Sequence, residues 1–219
     1  MFKRRTGFIV KSFVLGLLGT GASQAALIDR GGGLIYDDVK NLTWMQNIDY
    51  SVASGRGDSA RLTWNDAVSF AQDAEYYDYV RGVTWSDWRL PGAVGAPSTA
   101  GYDPSGASSE LAYMYYVNLG LSPNYQHGNK GHIKNYWFND LVGRGYWTGT
   151  EAKAGRNAWE FQFGYGFSEV TELADAQRVW LVRDGDVGAP PAGVPEPGTL
   201  TMLALGLAGI VFARRRKIA

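Results

Sequence analysis

The middle of this 219-residue chain is predicted to fold as one α+β domain. Two early segments place apolar residues at helical spacing, and several later segments alternate apolar and polar residues as antiparallel strands do. Hydrophobic residues make up 45% of the sequence and aromatic residues 14%, which is enough for one core. Because the chain contains no cysteine, disulfides and thiolate chemistry are excluded and the core itself must stabilise the fold.

The first expected elements are two short strands joined by a turn. The segments Leu34-Ile35-Tyr36 and Leu42–Met45 are apolar and rich in strand-forming residues. They flank the pair Asp37-Asp38, which favours a turn, and the flexible run Gly31–Gly33 precedes them. This order predicts a hairpin at the start of the domain.

Two helices are expected next. Thr63 is suited to cap a helix, and Asp66 would lie in its first turn, where the helix dipole favours a negative charge. The apolar spacing that follows carries this helix to about Glu75. A second helix is expected to begin at Ser108 or Ser109.

The later part of the domain is predicted to be strands. Trp147–Thr150 reads as one strand. In residues 159–163, three aromatic side chains alternate with Glu160 and Gln162, which predicts a half-buried strand. The run Val179–Val182 is apolar and short, which favours a buried strand.

The N-terminal residues 1–25 have the pattern of a secretory signal peptide. Basic residues Lys3-Arg4-Arg5 precede an apolar stretch, and the small residues Ser23 and Ala25 occupy the positions preferred before a cleavage site. The alternative is a short buried helix. The sequence therefore predicts an exported domain that begins at residue 26.

The C-terminal residues fall into three parts. A Pro- and Gly-rich linker at 187–198 contains Val194-Pro195-Glu196-Pro197, an apolar helix follows at 199–213, and a basic tail occupies 214–219. The fourteen apolar residues from Leu200 would span about 21 Å as a helix, short of the roughly 30 Å hydrocarbon core. The basic tail would stay in the cytoplasm. The alternative is an ordinary single-span anchor.

This tail resembles the PEP-CTERM sorting signal. The residues that carry the resemblance are the sequence VPEPGTL, the apolar run and the RRRK stop. The resemblance implies that an exosortase-type membrane protease recognises the tail. It also implies that the protein lies transiently in the inner membrane, through this tail, and then reaches the cell surface or the extracellular matrix.

Charge is distributed unevenly along the chain. Eight of the 21 basic residues lie before residue 12 or after residue 213, so the stretch from Asp29 to Glu196 carries 13 basic against 21 acidic residues, a net charge of −8. Proteins that bind nucleic acid need a basic footprint. A nucleic-acid partner is therefore excluded.

The middle region, residues 26–186, resembles the Lcl C-terminal domain family of exported bacterial proteins. Its most recognisable element is Asp87-Trp88-Arg89-Leu90-Pro91, here called the DWRLP element. Further motifs of the family occur in order around it: GLIY, TWxDA, YWTGT, AWxF and VWLVR. The resemblance implies a C-type-lectin-like fold, related to that of the sulfatase activators, and for some members an adhesive role at cell surfaces.

The sequence contains no recognisable set of catalytic residues, no cofactor motif and no metal-binding motif. Sulfatase-activator chemistry needs reactive cysteines, and there are none. His127 and His132 leave a Ser-His-Asp hydrolase open, although no Gly-x-Ser-x-Gly elbow accompanies them. Acid pairs at Asp37-Asp38 and at Asp184 and Asp186 could bind calcium, but solvated turn carboxylates are the preferred interpretation. Asp87 and Arg89 are expected to be structural.

The candidate ligand-binding surface is the segment Tyr125–Trp137, in which cations and aromatic side chains interleave. Aromatic faces suit sugar rings, and lysines suit an anionic polysaccharide. The candidate residues are Tyr125, His127, Lys130, His132, Lys134, Tyr136 and Trp137. The alternative is that the aromatic residues belong to the core and the rest is a solvated loop.

Three functions follow from these observations. The first is a non-enzymatic exported module that binds extracellular polysaccharide or a surface partner. The second is a structural matrix component that self-associates, and the third is a hydrolase of matrix polymers.

Overall fold

The computed structural model describes residues 27–55, 60–93, 101–123, 131–153 and 155–188. The predicted signal peptide, the sorting motif, the apolar helix at 199–213 and the basic tail lie outside these residues. Within the described ranges, no helix is both long enough and apolar enough to cross a membrane.

Three sheets and a few short helices make up the domain, so the α+β prediction is confirmed with strands predominating. The strands are β1 Leu27–Asp29, β2 Leu34–Asp37, β3 Leu42–Met45, β4 Arg61–Leu62, β5 Tyr76–Asp78, β6 Val83–Trp85, β7 Gly101–Tyr102, β8 Gly145–Lys153, β9 Asn157–Gln162, β10 Phe167–Glu172, β11 Gln177–Arg178 and β12 Val182–Asp184. The helices are α1 Tyr50–Ala53, α2 Trp64–Gln72 and α3 Glu110–Tyr113, and α3 continues into a π-helical turn, Met114–Asn118.

The four-stranded sheet has the order β1-β2-β3-β12, so the first and last strands of the domain share one sheet. The predicted hairpin is confirmed, since β2 pairs antiparallel with β3. Gly31, Gly32 and Gly33 all have positive φ values, which only glycine adopts freely. They form the turn between β1 and β2.

The six-stranded sheet has the order β4-β11-β8-β9-β10-β7, and β5 and β6 form a separate hairpin. Most neighbours in the large sheet are antiparallel, and β11 runs parallel to β8. Because strands far apart in sequence lie side by side here, residues from across the chain meet on this sheet.

Both predicted helix starts are confirmed. The Thr63 side chain accepts a hydrogen bond from the Asp66 amide, and α2 ends at Gln72, three residues before the predicted end. The Ser109 side chain accepts from the Ala112 amide at the start of α3. Each cap occupies one of the amide donors that a helix start leaves unpaired.

Two strand predictions need correction. Val179–Val182 is buried but is not one strand, because β11 ends at Arg178 and β12 begins at Val182 while the chain crosses from one sheet to the other. The strand β9 is not half-buried, since Trp159, Glu160 and Phe161 are all buried. Both faces of β9 are therefore covered.

The core has two clusters on opposite sides of the large sheet. One gathers Trp44, Tyr146, Phe161 and Trp180, and the Trp44 and Trp180 ring centroids lie 4.8 Å apart. The other packs α2 against Trp88, Trp147 and Ala158. The C-type-lectin-like assignment remains a prediction.

Candidate functional site

The described part of the candidate segment lies in a closed loop, residues 131–143, hereafter the 131–143 loop. The Ile133 amide donates to the Leu141 carbonyl at 2.7 Å, and the Gly143 amide donates to the Gly131 carbonyl at 2.9 Å. His132 pairs with Val142 as an isolated bridge. The two ends of the loop are therefore held together, and the residues between them form its tip.

Asn135 fixes the tip of the 131–143 loop. Its Oδ1 accepts hydrogen bonds from the amides of Trp137 and Phe138, at 2.9 and 2.6 Å. Its Nδ2 donates to the Ile133 and Phe138 carbonyls at 3.1 and 3.2 Å. Phe138 is buried, with its ring centroid 4.7 Å from that of Trp180, so the tip is also anchored in the core.

The loop tip presents Tyr136 to solvent. Tyr136 is 89% exposed, whereas Trp137 is half-buried and packs against the core. The two rings meet edge to face, with centroids 5.4 Å apart. His132 and Lys134 are exposed on the same loop. The structure thus brings together four of the seven predicted residues, while Tyr125, His127 and Lys130 lie outside the described residues.

The Asp87 side chain of the DWRLP element is bound to Arg183. Arg183 donates to both oxygens of Asp87 at 2.7 and 2.8 Å, and its guanidinium lies 4.1 Å from the centroid of the Trp85 ring. Hydrogen bonds from Arg183 hold the pKa of the Asp87 carboxyl below its usual value. The ion pair between Asp87 and Arg183 joins the DWRLP element to β12.

Arg89 of the same element links three segments of the chain. It donates to both oxygens of Glu110 at 2.8 and 2.9 Å and to Asp184 at 2.6 Å. A bidentate pair of this kind is strong and directional. Arg89 was expected to be structural, either in a buried or half-buried ion pair or stacked on an aromatic ring, and its partners Glu110 and Asp184 make it an ion pair.

The acid pairs that were expected to be solvated turn carboxylates, with calcium binding as the alternative, are bonded within the fold, and the expectation is wrong for Asp37 because its side chain is buried. Asp37 accepts from the Val39 and Lys40 amides and from Asn118. Asp184 binds Arg89, and Asp186 binds Arg30. In the described part of the chain, no group of three or more His, Cys, Asp or Glu side chains is placed to hold a metal ion.

A polar pocket at one end of the large sheet was not predicted from the sequence. Its volume is about 200 Å³, and it is lined by Arg61, Gly143, Arg144, Gly145, Gln162, Tyr165 and Gln177. Its residues come from β4, β8, β9, β11 and adjacent turns, so only the sheet order brings them together. Gly143 also closes the 131–143 loop, which places the pocket at the base of that loop.

Gly145 allows three polar side chains to converge on the pocket. A Cβ at this position would lie 2.8 Å from Gln177 Oε1, 2.8 Å from Glu160 Oε1 and 2.9 Å from Gln162 Nε2. Real Cβ atoms do not approach so closely, and glycine alone leaves the space. Nothing in the residues around Gly145 predicted this requirement, because the three side chains come from β9 and β11.

Glu160 is a buried carboxyl next to the pocket. It is 1% exposed, and Gln162 donates to its Oε1. Its Oε2 has no hydrogen-bond partner in the described structure, and Glu169 lies directly across from it on β10. Burial, followed by the neighbouring Glu169, raises the pKa of the Glu160 carboxyl to about 8.

Comparison with protein families gives two matches. The model of the Lcl C-terminal domain matches residues 33–183, and that of the PEP-CTERM protein-sorting motif matches residues 193–217. Both resemblances noted in the sequence are therefore confirmed. No curated protein matches the chain.

Proposed function

The chain belongs to the Lcl C-terminal domain family, and from that premise we propose that it is a non-enzymatic module that binds extracellular polysaccharide. Its PEP-CTERM motif implies processing by an exosortase and export to the cell surface or the extracellular space. The proposal also covers the transient stage at the inner membrane before the tail is processed.

The observation that carries the proposal is the exposed Tyr136 on a fixed loop. A tyrosine that is 89% exposed gains nothing from the core, yet Asn135 and the half-buried Trp137 hold the loop that carries it. An aromatic ring held ready in this way loses little entropy when a sugar ring stacks on it. Lys134 and His132 beside it add donors for hydroxyl or acidic groups.

A glycan array tests this function with a matched pair of variants. We expect wild-type protein to bind polysaccharide above an unrelated acidic control protein, and Tyr136→Ala to weaken that binding about tenfold. Tyr77→Ala removes another well-exposed tyrosine, on β5, and should leave binding unchanged. Equal binding by all three proteins, or none above the control, would contradict the proposal.

Self-association is a second candidate, favoured by the hairpin β5–β6. This hairpin exposes Tyr77, Tyr79, Val80 and Val83. Such apolar exposure is common at protein–protein contacts. Light scattering should then show oligomers that Tyr77→Ala dissociates, and a strict monomer at all concentrations would argue against this function.

Hydrolysis of matrix polymers is the enzymatic alternative. His132 lies near Asp49, and the Asp49 carboxyl is bound by Arg178. A carboxylate engaged in this way is poorly placed to orient a catalytic histidine. Release of reducing ends from a bound polysaccharide, lost in His132→Gln, would favour the hydrolase over a binding module.

A further inference from the structure

A row of side chains crosses the entire six-stranded sheet at the level of the polar pocket. The strand registers place Gln177 beside Leu62 of β4, Gly145 opposite Gln162, Gln162 opposite Phe167, and Phe167 opposite Tyr102. Residues directly opposite one another in a sheet share a face. With neighbouring strands about 4.8 Å apart, six strands give this row a length of about 24 Å. We call it the transverse row.

The two ends of the transverse row differ in chemistry. At the β4 end lie the guanidinium groups of Arg61 and Arg144, which line the pocket together with the amides of Gln162 and Gln177. At the β7 end lie three aromatic rings: Tyr165 and Tyr102 are well exposed, and each contacts Phe167, with centroid distances of 5.4 and 5.7 Å. Tyr165 belongs to both parts, because it also lines the pocket.

The arrangement matches an acidic sugar chain. A guanidinium binds a carboxylate with paired hydrogen bonds, planar amides suit vicinal hydroxyl groups, and aromatic faces stack on sugar rings. Arg144 makes no ion pair within the described residues, and Arg61 is oriented by a hydrogen bond to the Ala176 carbonyl. In a domain whose residues 26–186 carry 13 basic against 20 acidic residues, a net charge of −7, two arginines at one pocket are a local positive site.

We propose that the transverse row binds a polysaccharide that contains uronic acids, with one sugar carboxylate held by Arg144 and Arg61 and the following rings stacked on Tyr165, Phe167 and Tyr102. This inference rests on the proposed function and names its ligand class and a second contact surface. The pocket volume of about 200 Å³ accommodates one sugar residue, and the length of the row accommodates several more. Burial raises the pKa of the Glu160 carboxyl, which favours its neutral form beneath the bound carboxylate.

The test uses the mature protein purified from its host and two forms of one polymer. Polygalacturonate supplies the uronic acids, and the same polymer with its carboxyl groups reduced to alcohols supplies the neutral control. Affinity is measured by titration calorimetry for wild type, Arg144→Ala, Tyr165→Ala and Arg156→Ala. Arg156 is an exposed arginine in the β8–β9 turn, so Arg156→Ala changes the net charge by the same amount as Arg144→Ala.

We expect Arg144→Ala and Tyr165→Ala each to weaken binding of polygalacturonate about tenfold or more, and Arg156→Ala less than about twofold. We expect reduction of the carboxyl groups to weaken wild-type binding to the same degree, and Arg144→Ala to bind both polymer forms alike. Equal effects of Arg144→Ala and Arg156→Ala would overturn the inference, because binding would then depend on net charge alone.

The two proposals fail in different ways. If wild type binds the acidic and reduced polymers equally, and Tyr136→Ala still weakens binding, the transverse row is not the carboxylate site while polysaccharide binding stands. If wild type binds neither polymer nor any glycan on the array, both proposals are overturned.

Discussion

Two pairs of arginines in this domain have opposite surroundings. Arg89 and Arg183, in or opposite the DWRLP element, each hold a carboxylate with paired hydrogen bonds. Arg61 and Arg144 line a polar pocket, where Arg144 has no carboxylate partner in the described part of the chain. Arg89 belongs to the DWRLP element and Arg183 to the VWLVR motif, whereas Arg61 and Arg144 belong to neither.

The difference shows that the arginines of the recognisable motifs stabilise the fold, whereas Arg144, which lies outside those motifs, has no carboxylate partner among the described residues. Glu110 and Asp184 occupy both sides of the Arg89 guanidinium, so a substrate would have to displace one of them. Displacing a bound carboxylate from a half-buried arginine costs free energy. The partners of an arginine, and not its place in a motif, decide its role.

The largest expected effect concerns Glu160, beneath the pocket of the second pair. A folded-state pKa of about 8 lies above the ordinary value near 4.5, so the folded protein holds more protons than the unfolded chain between these pH values. The free energy of unfolding should therefore fall as pH rises through this window, by up to about 1.4 kcal/mol per pH unit. Glu160→Gln should abolish this slope.

Urea denaturation at a series of pH values measures the slope. Glu172→Gln on the same sheet removes an exposed carboxyl and should keep the wild-type slope. If Glu160→Gln titrates like wild type, Glu160 is ionised in the folded protein and the floor of the pocket carries a negative charge.

The next effect contrasts one arginine from each pair. Arg89→Ala removes the arginine that pairs with the Glu110 carboxylate, and we expect a loss of about 2 kcal/mol in the free energy of unfolding. This loss is smaller than for a fully buried ion pair because Arg89 is partly exposed to solvent. Arg144→Ala removes no ion pair among the residues that the structure describes and should change the free energy of unfolding by less than about 0.5 kcal/mol. Thermal and urea unfolding of both variants provide the comparison. Equal losses would mean that the two pairs do not differ as described.

The smallest effect tests the space above Gly145. Gly145→Ala would place a Cβ against the ends of the Gln177, Glu160 and Gln162 side chains, and we expect a loss of about 1 kcal/mol in the free energy of unfolding because flexible side-chain ends move at low cost. Gly149→Ala, whose Cβ would make only ordinary contacts at 3.5 Å, is the matched control on the same strand. If both variants are equally stable, the pocket adjusts easily and its geometry is not fixed by Gly145.

Local signals in the sequence predicted local structure well. The caps at Thr63 and Ser109 and the β2–β3 hairpin are each set by residues a few positions apart. The burial of Glu160 was missed because alternation predicts one covered face only, whereas this sheet carries a core cluster on each face.

The two candidate surfaces differ in the same way, because one is formed by neighbouring residues and the other by strands that are distant in sequence. Tyr136 and its neighbours lie in one segment, so composition alone suggested them. The transverse row depends on the order β4-β11-β8-β9-β10-β7, in which most neighbours are distant in sequence. A single sequence carries no information on that pairing. The partners of Arg89 could not be predicted for the same reason, since they lie 21 and 95 residues away.

The most direct test of the central claim is hydrogen exchange of the mature protein, followed by mass spectrometry, with and without polygalacturonate. If the 131–143 loop and the transverse row bind the polymer, backbone amides in residues 131–144 and 160–167 should exchange more slowly in its presence. The DWRLP element and the hairpin β5–β6 should be unchanged. Protection confined to residues 76–91, or no protection while binding is measured, would contradict the account.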